Sequence, residues 1–357
     1  MSALHITNGD CTAVTLRQIV GDPVTIAADV LHEGPCPRVE GDAWRDVRAR
    51  FLASDGETTY DNVKTTLAAW DRAILDAYVR GDEIVLWFEH DLFDQLALIR
   101  TLDLLVRLKP DATETGAIGA TSRAPVGSGF RRTSPRVSLI CIGSFPGIAR
   151  FVGLGQLTPP QLATLIGTGM PVIAGHFALA TDAWHAFRSP DPAELLEVTL
   201  QLAAAGTPVS EGGPALTFLG DALLRFFAEF PSVANGLSRT EELALIALLA
   251  GATTAGELFG ATQSSEARPF MGDTTFWRIL RRLASARVPL VTVGAGADEV
   301  DLRSNRIAIT NAGRDVLARR ADHVRLNGID LWRGGVHLTG SDRSPWRWDA
   351  ATETLVS

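Results

Sequence analysis

Cysteine is scarce in this sequence: Cys11, Cys36 and Cys141 are the three in 357 residues. An odd number without CxxC spacing suits a reducing compartment better than a disulfide framework and gives no zinc signature. No apolar run approaches the roughly 18 residues that a spanning helix needs, so no membrane partner is expected. The opening Met-Ser-Ala-Leu-His lacks the basic start and apolar stretch of a signal peptide, and a cytoplasmic protein is the expectation. Positive charge is in deficit, with Lys and Arg numbering 33 against 41 Asp and Glu, a net charge of −8. That balance disfavours nucleic acid as a general partner. Familiar chemical signatures are missing as well. Neither GxGxxG nor a P-loop occurs, which removes the common dinucleotide and nucleoside-triphosphate fingerprints, and neither HExxH nor GxSxG is present.

What is present is a pattern of alternating elements followed by helices. Up to residue 150 strand-like and helix-like segments alternate, which predicts an α/β domain with a mostly parallel sheet. Its strands fall at Leu4 to Thr7, Pro23 to Ala28, Glu83 to Phe88 and Val137 to Ile142. Helices fall near Thr12 to Val20, Asp42 to Ala53, Thr58 to Arg80 and Leu92 to Leu108. The stretch from Gly116 to Arg136 has no apolar period and reads as a long loop, with Arg123, Arg131, Arg132 and Arg136 as a less favoured phosphate clamp. Residues 151–236 read as a helical connector punctuated by proline. Residues 237–357 read as a winged-helix-like α+β domain with a tryptophan-rich β tail, because three helices precede two short strands. In that order the helix from Thr274 to Ser285 takes the recognition position, offering Arg278, Arg281 and Arg282. Between Leu237 and Arg320 eleven basic residues face nine acidic ones, so packing is favoured over reading DNA.

The segment Glu83-Ile-Val-Leu-Trp-Phe-Glu-His-Asp-Leu-Phe-Asp-Gln95 carries the strongest functional signal. Its apolar run ends abruptly in Glu89, His90 and Asp91, with Asp94 and Gln95 just beyond, at the strand end where open parallel sheets bind ligands. The first strand exits into Asn8-Gly9-Asp10 and the second into Asp29 to Pro35, which contains His32 and Glu33. Parallel strands emerge on one side, so these segments are expected to converge. Asn8 and Gly9 precede a helix whose N–H groups can hold a phosphate or carboxylate, while Asp10 either caps that helix or meets the ligand. Asp91 has the position of an N-cap and Asp94 that of an acidic capping-box partner. His32 and His90 are candidate general acids or bases, with Asp91 or Asp94 orienting them. For His32 a carboxylate from another strand, such as Asp91, is the expected partner. Glu33, Glu89, Gln95 and, from the tail, Arg333 complete the candidate substrate contacts. His, Asp and Glu would suit a divalent first-row ion, but no established ligand spacing is present, so metal and cofactor stay open. In the tail, Trp332, Trp346, Trp348 and the paired glycines of Trp332-Arg-Gly-Gly-Val-His337 suggest a β segment that docks elsewhere on the protein.

The sequences Leu4-His-Ile-Thr-Asn-Gly-Asp10, Asp29-Val-Leu-His-Glu-Gly-Pro35 and Trp87-Phe-Glu-His-Asp-Leu-Phe-Asp-Gln-Leu96 resemble the bacterial family catalogued as domain of unknown function 1835. The tail pieces Trp-Arg-Gly-Gly-Val-His and Trp-Arg-Trp-Asp are similar to the end of its longer members. The resemblance implies an α/β N-terminal domain in a bacterial cytoplasmic protein and brings no reaction with it. From the residues, the leading expectation is a hydrolase or group transferase. It would act on a small polar or phosphorylated substrate at the carboxyl ends of the strands. The alternative is a ligand-sensing transcriptional regulator whose winged helix binds DNA.

Overall fold

The apolar run after Glu83 forms the strand Glu83–Glu89 inside a five-stranded sheet in the computed structural model, which describes residues 2–108, 136–204, 216–294, 306–340 and 346–357. The strand order is Val24–Ile26, Ala3–Thr7, Glu83–Glu89, Val137–Ile142 and Met170–Pro171. The first four are mutually parallel and the last is antiparallel. Side chains alternate across the pleat, so Ile84, Leu86 and Phe88 enter the large core. Trp87 enters a smaller core on the opposite face, with Leu16, Ile140, Phe151 and Leu154. There its indole N–H donates to His5 Nδ1 at 2.9 Å, which satisfies the one polar atom of a buried ring. Burial of side chains of this size stabilises the fold by about 1.5–3 kcal/mol each.

The helices of this region are Asp10–Ile19, Gly41–Leu52, Tyr60–Arg80 and Leu92–Arg107. Local chemistry sets their ends. Thr59 caps the third by accepting from Asn62 N, and Gly81 closes it at φ 75°, a conformation that suits glycine. Arg123, Arg131 and Arg132 of the expected phosphate clamp lie outside the described residues. Arg136 stands 3.5 Å from Glu83, at the amino end of the sheet.

The middle of the chain does not stand apart as a connector. Met170–Pro171 adds a strand to the main sheet, and the helix Ala174–Phe187 packs on Leu92–Arg107. One core runs without interruption from Leu4 to Trp348. In the last third, capping boxes at Ser238/Glu241 and Thr254/Glu257 start the helices Arg239–Leu249 and Ala255–Ser265. A third helix, Asp273–Ser285, leads to the antiparallel strands Val291–Val293 and Ile307–Ile309. It turns inward: Phe276, Trp277, Ile279, Leu280 and Leu283 are buried. Arg278 pairs with Asp55 of the N-terminal region and Arg282 with Glu241, while Arg281 is exposed.

The tail docks, and its docking explains the paired glycines. The strand Ile329–Gly334 pairs with Val336–Gly340 and also lies parallel to Gly34–Pro35. A Cβ on Gly334 would fall 2.4 Å from the Phe187 carbonyl oxygen, and one on Gly335 2.1 Å from that of Arg188. Only glycine allows the hairpin this close. Trp348 stacks on Phe227 at 5.3 Å and Trp332 on His337 at 4.3 Å, so these two rings cover the helical middle and the hairpin itself. They do not wall the strand ends.

Candidate active site

Because the first strand runs beside Glu83–Glu89 in parallel, with Thr7 opposite Trp87, Asn8 emerges next to Glu89. The expected convergence of these two segments is present as a contact: Asn8 Nδ2 donates to Asp94 Oδ2 at 2.5 Å. Asp94 Oδ1 accepts from the Glu89 backbone N–H at 2.7 Å. Asp91 caps its helix by accepting from Asp94 N at 3.1 Å. Asp94 therefore departs from the capping-box expectation. It reaches past the cap residue to the strand end and to Asn8, since a tertiary donor competes for its oxygens.

Glu89, Asp91 and Asp94 bring one carboxylate oxygen each to within 4.8 Å of one another, and all three residues are buried. Among the described residues no Arg, Lys or His stands within ion-pair distance of them. Burial, followed by the charge of Asp91, pushes Glu89 up to about 8. Burial carries Asp91 up to about 7 against two backbone N–H groups and the charge of Arg268, all of which favour its ionised form. Asp94 is held well above the usual carboxylate range by burial and by the other two carboxyls. The physical cause is common to the three: an ion leaving water without a counter-charge costs several kcal/mol, so the proton stays. Such a spacing of oxygens could also hold a divalent cation, which would replace those protons.

A segment from beyond the sheet closes over the cluster. Leu154 N donates to Glu89 Oε1 at 2.5 Å, and a Cβ on Gly153 would lie 2.2 Å from Glu89 Oε2. Beneath, Gln95 Nε2 donates to the Glu89 carbonyl at 2.6 Å and approaches Cys141 Sγ at 3.4 Å, while Gln95 Oε1 is buried without a partner. No protein-family model and no curated protein matches this chain. The geometry therefore carries the functional argument.

His90 is buried beside this cluster, between Phe151 at 6.0 Å and Phe218 at 5.9 Å, with Nδ1 unpartnered. Burial and the Arg268 charge lower its basicity, so it is neutral at pH 7. Gly9 is the N-cap of Asp10–Ile19 and makes no side-chain cap bond, and a Cβ there would meet open space. Asp10 is exposed and is the first helical residue, so it does not cap the helix as one sequence reading had it.

His32 does not take the expected carboxylate partner. Both ring nitrogens are buried without a hydrogen bond, and the ring meets Phe270 at 5.1 Å and Phe93 at 6.1 Å. Burial first, then the charges of Arg333, Arg48, Arg225 and Arg278, bring its pKa down to about 3. Arg48 explains the local backbone: it binds Asp29 at 2.7 Å and the carbonyls of Val30, Glu33 and Pro35, and so holds the turn that carries His32. Glu33 likewise faces cations rather than the carboxyl cluster, with Arg333 at 3.6 Å and Arg278 at 4.0 Å. Arg333 lines a separate cleft of about 560 Å³ with Glu229, Glu241 and Arg282. Apart from Gly9 and Asp10, the residues proposed from sequence divide into two sets. Asn8, Glu89, His90, Asp91, Asp94 and Gln95 gather at the strand ends, and His32, Glu33 and Arg333 gather under the arginines. Sequence reasoning missed Gly153, Leu154, Phe151 and Phe218, whose signal was a glycine between apolar residues far along the chain.

Proposed function

We propose that this protein is an enzyme that performs hydrolysis or group transfer on a small polar, phosphorylated substrate at the carboxyl ends of the sheet strands. The observation that carries the reading is the cluster of Glu89, Asp91 and Asp94, buried together without a cationic partner among the described residues. Carboxyls that titrate at about 7 and about 8 can both give and take a proton near neutral pH, which is what general acid–base catalysis requires. In this reading Asp91 and Glu89 exchange the proton. Asn8 and the Glu89 backbone N–H fix Asp94, and the uncapped first turn after Gly9 receives an anionic group of the substrate. We place the chain with the family of domain of unknown function 1835 on the residues that resemble it, several of which stand in this cluster.

The test is a turnover screen of the whole chain against phosphate esters, phosphorylated sugars and nucleotides, with and without added Mg²⁺ or Mn²⁺. The activity found should fall at least about a hundredfold in kcat in Glu89→Gln and Asp91→Asn. Activity that survives both substitutions unchanged would refute the proposal. The regulator reading is less well supported, because Arg278 and Arg282 are engaged with Asp55 and Glu241 inside the protein.

A further inference from the structure

Away from the carboxyl cluster, the helices Gly41–Leu52, Tyr60–Arg80, Leu92–Arg107 and Ala174–Phe187 enclose a cleft of about 770 Å³. That volume is in the range of small-molecule sites. Five guanidinium groups line it, from Arg45, Arg72, Arg100, Arg107 and Arg188, against the two carboxylates of Glu40 and Asp71. Each of these carboxylates is shared. Asp71 lies 3.1 Å from Arg45 and 2.8 Å from Arg100, and Glu40 lies 2.6 Å from Arg188 and also pairs with Arg107. Asp42, Asp76 and Asp103 pair with Arg45, Arg72 and Arg107 but do not line the cleft. The lining itself therefore holds five guanidiniums to two carboxylates, while the three carboxylates outside it balance the remaining charge.

The aromatic wall supplies an independent observation. Trp44 and Trp184 meet edge to face at 5.5 Å, are 4% and 2% exposed, and both line the cleft. Each indole N–H is buried with no acceptor among the described residues. Two buried, unpartnered donors in one place are unusual, because leaving such a group without an acceptor costs about 1–3 kcal/mol. Arg188 lies over both rings at 5.3 Å and Arg100 over Trp44 at 5.8 Å, so the ring faces orient the guanidiniums instead of being free for a ligand to stack on. Ala68, Ala69, Leu75 and Leu104 offer an apolar floor.

We propose that this cleft is a second ligand site, distinct from the carboxyl cluster, which binds a small phosphorylated molecule with an apolar or ring-bearing body. Phosphate oxygens accept from the guanidiniums that now share Asp71 and Glu40, as bidentate recognition by arginine favours. The body of the ligand covers the alanine and leucine floor. Size and the surplus of N–H donors agree on this class, whereas a cationic or purely apolar ligand would meet five guanidiniums.

The experiment is calorimetric titration of the whole chain with inorganic phosphate and with adenosine 5′-monophosphate at low and at physiological salt. Arg100 and Arg188 are buried and their loss would disturb folding, so the variant is Arg45→Gln with Arg72→Gln, whose side chains are 20% and 71% exposed. Circular dichroism melting checks that it folds. Adenosine 5′-monophosphate should bind more tightly than phosphate, weaken as salt rises, and bind about tenfold or more weakly to the double variant. Binding to the Glu89→Gln protein should be unchanged, which separates this site from the proposed active site. Absence of binding by either probe, or equal affinity of the folded double variant, would overturn the proposal.

Discussion

Replacing Glu89 by glutamine should remove a pH dependence of stability that the carboxyl cluster imposes on the fold. Glu89 is pushed up to about 8 by burial and by Asp91, from an ordinary value of 4.5. With the folded value above the unfolded one, the native protein keeps a proton that the unfolded chain has released. Raising the pH therefore favours unfolding until native Glu89 ionises near 8, and the penalty is then complete. Unfolded histidines are still half charged at pH 6.5 and act with the opposite sign, but equally in wild type and variant, so the comparison of the two proteins isolates Glu89. Across the 1.5 pH units up to 8, at about 1.4 kcal/mol per unit, Glu89 alone should cost the fold about 2 kcal/mol. Asp91, finishing at about 7, adds less and in the same direction. Glutamine can keep the bond from Leu154 N through its carbonyl oxygen, so the substitution tests charge more than shape. Urea unfolding at pH 6.5 and 8.5, followed by tryptophan fluorescence, reads the difference. Relative to wild type, the variant should be more stable at pH 8.5 than at pH 6.5 by about 2 kcal/mol. A stability difference between variant and wild type that is the same at the two pH values would refute the argument.

His32 should act on the acid side with the opposite sign. Its folded pKa of about 3 lies below the unfolded value, so the unfolded chain binds a proton that the fold refuses, and stability is lost as pH falls below 6.5. Relative to wild type, His32→Leu should be more favourable at pH 4.5 than at pH 7 by about 2–3 kcal/mol in urea unfolding, and no change in the difference would count against a buried neutral ring. Two glycines near the strand ends should part company. Gly153→Ala drives a Cβ to 2.2 Å from Glu89 Oε2 and should cost about 2 kcal/mol or more, whereas Gly9→Ala meets open space and should cost under about 1 kcal/mol, both read by thermal melting.

Much of the sheet was legible because its determinants are local. The apolar run Ile84 to Phe88 is bounded by Glu83 and Glu89, Thr59 and Gly81 mark the ends of Tyr60–Arg80, and parallel strands must release Asn8 and Glu89 on one side. The strand Met170–Pro171 was not legible, since two residues carry no period and their partner, Leu139, is distant in sequence. Asp94 shows how far local rules extend. Its position announced a helix start, but the groups that bind it are Asn8 and the Glu89 N–H, and the first of these arrives only when the sheet forms. His32 marks the opposite failure. Its neighbours Arg48, Arg225, Arg278 and Arg333 come from four separated segments, and no spacing rule relates them.

The same chain treats buried charge in two ways, and the contrast is what gives the carboxyl cluster its meaning. Asp29 faces Arg48 at 2.7 Å, Glu266 and Glu229 each face Arg225 at 2.8 Å, and Glu241 faces Arg282 at 3.1 Å. In these places the charge of a buried carboxylate is met by a guanidinium, and the pairs tie the N-terminal turn, the middle helices and the last third of the chain together. Among the described residues, the three carboxyls at the strand ends have no such partner. Apolar side chains in their place would remove the desolvation cost, as replacement of buried ionic groups often does. Under the proposed function the acidity retained there is put to use in proton transfer. A substrate that enters between Asn8 and Leu154 would meet donors already fixed by Asp94 and proton carriers already poised near neutrality. Stability given up at that point is the usual accompaniment of a preorganised active site.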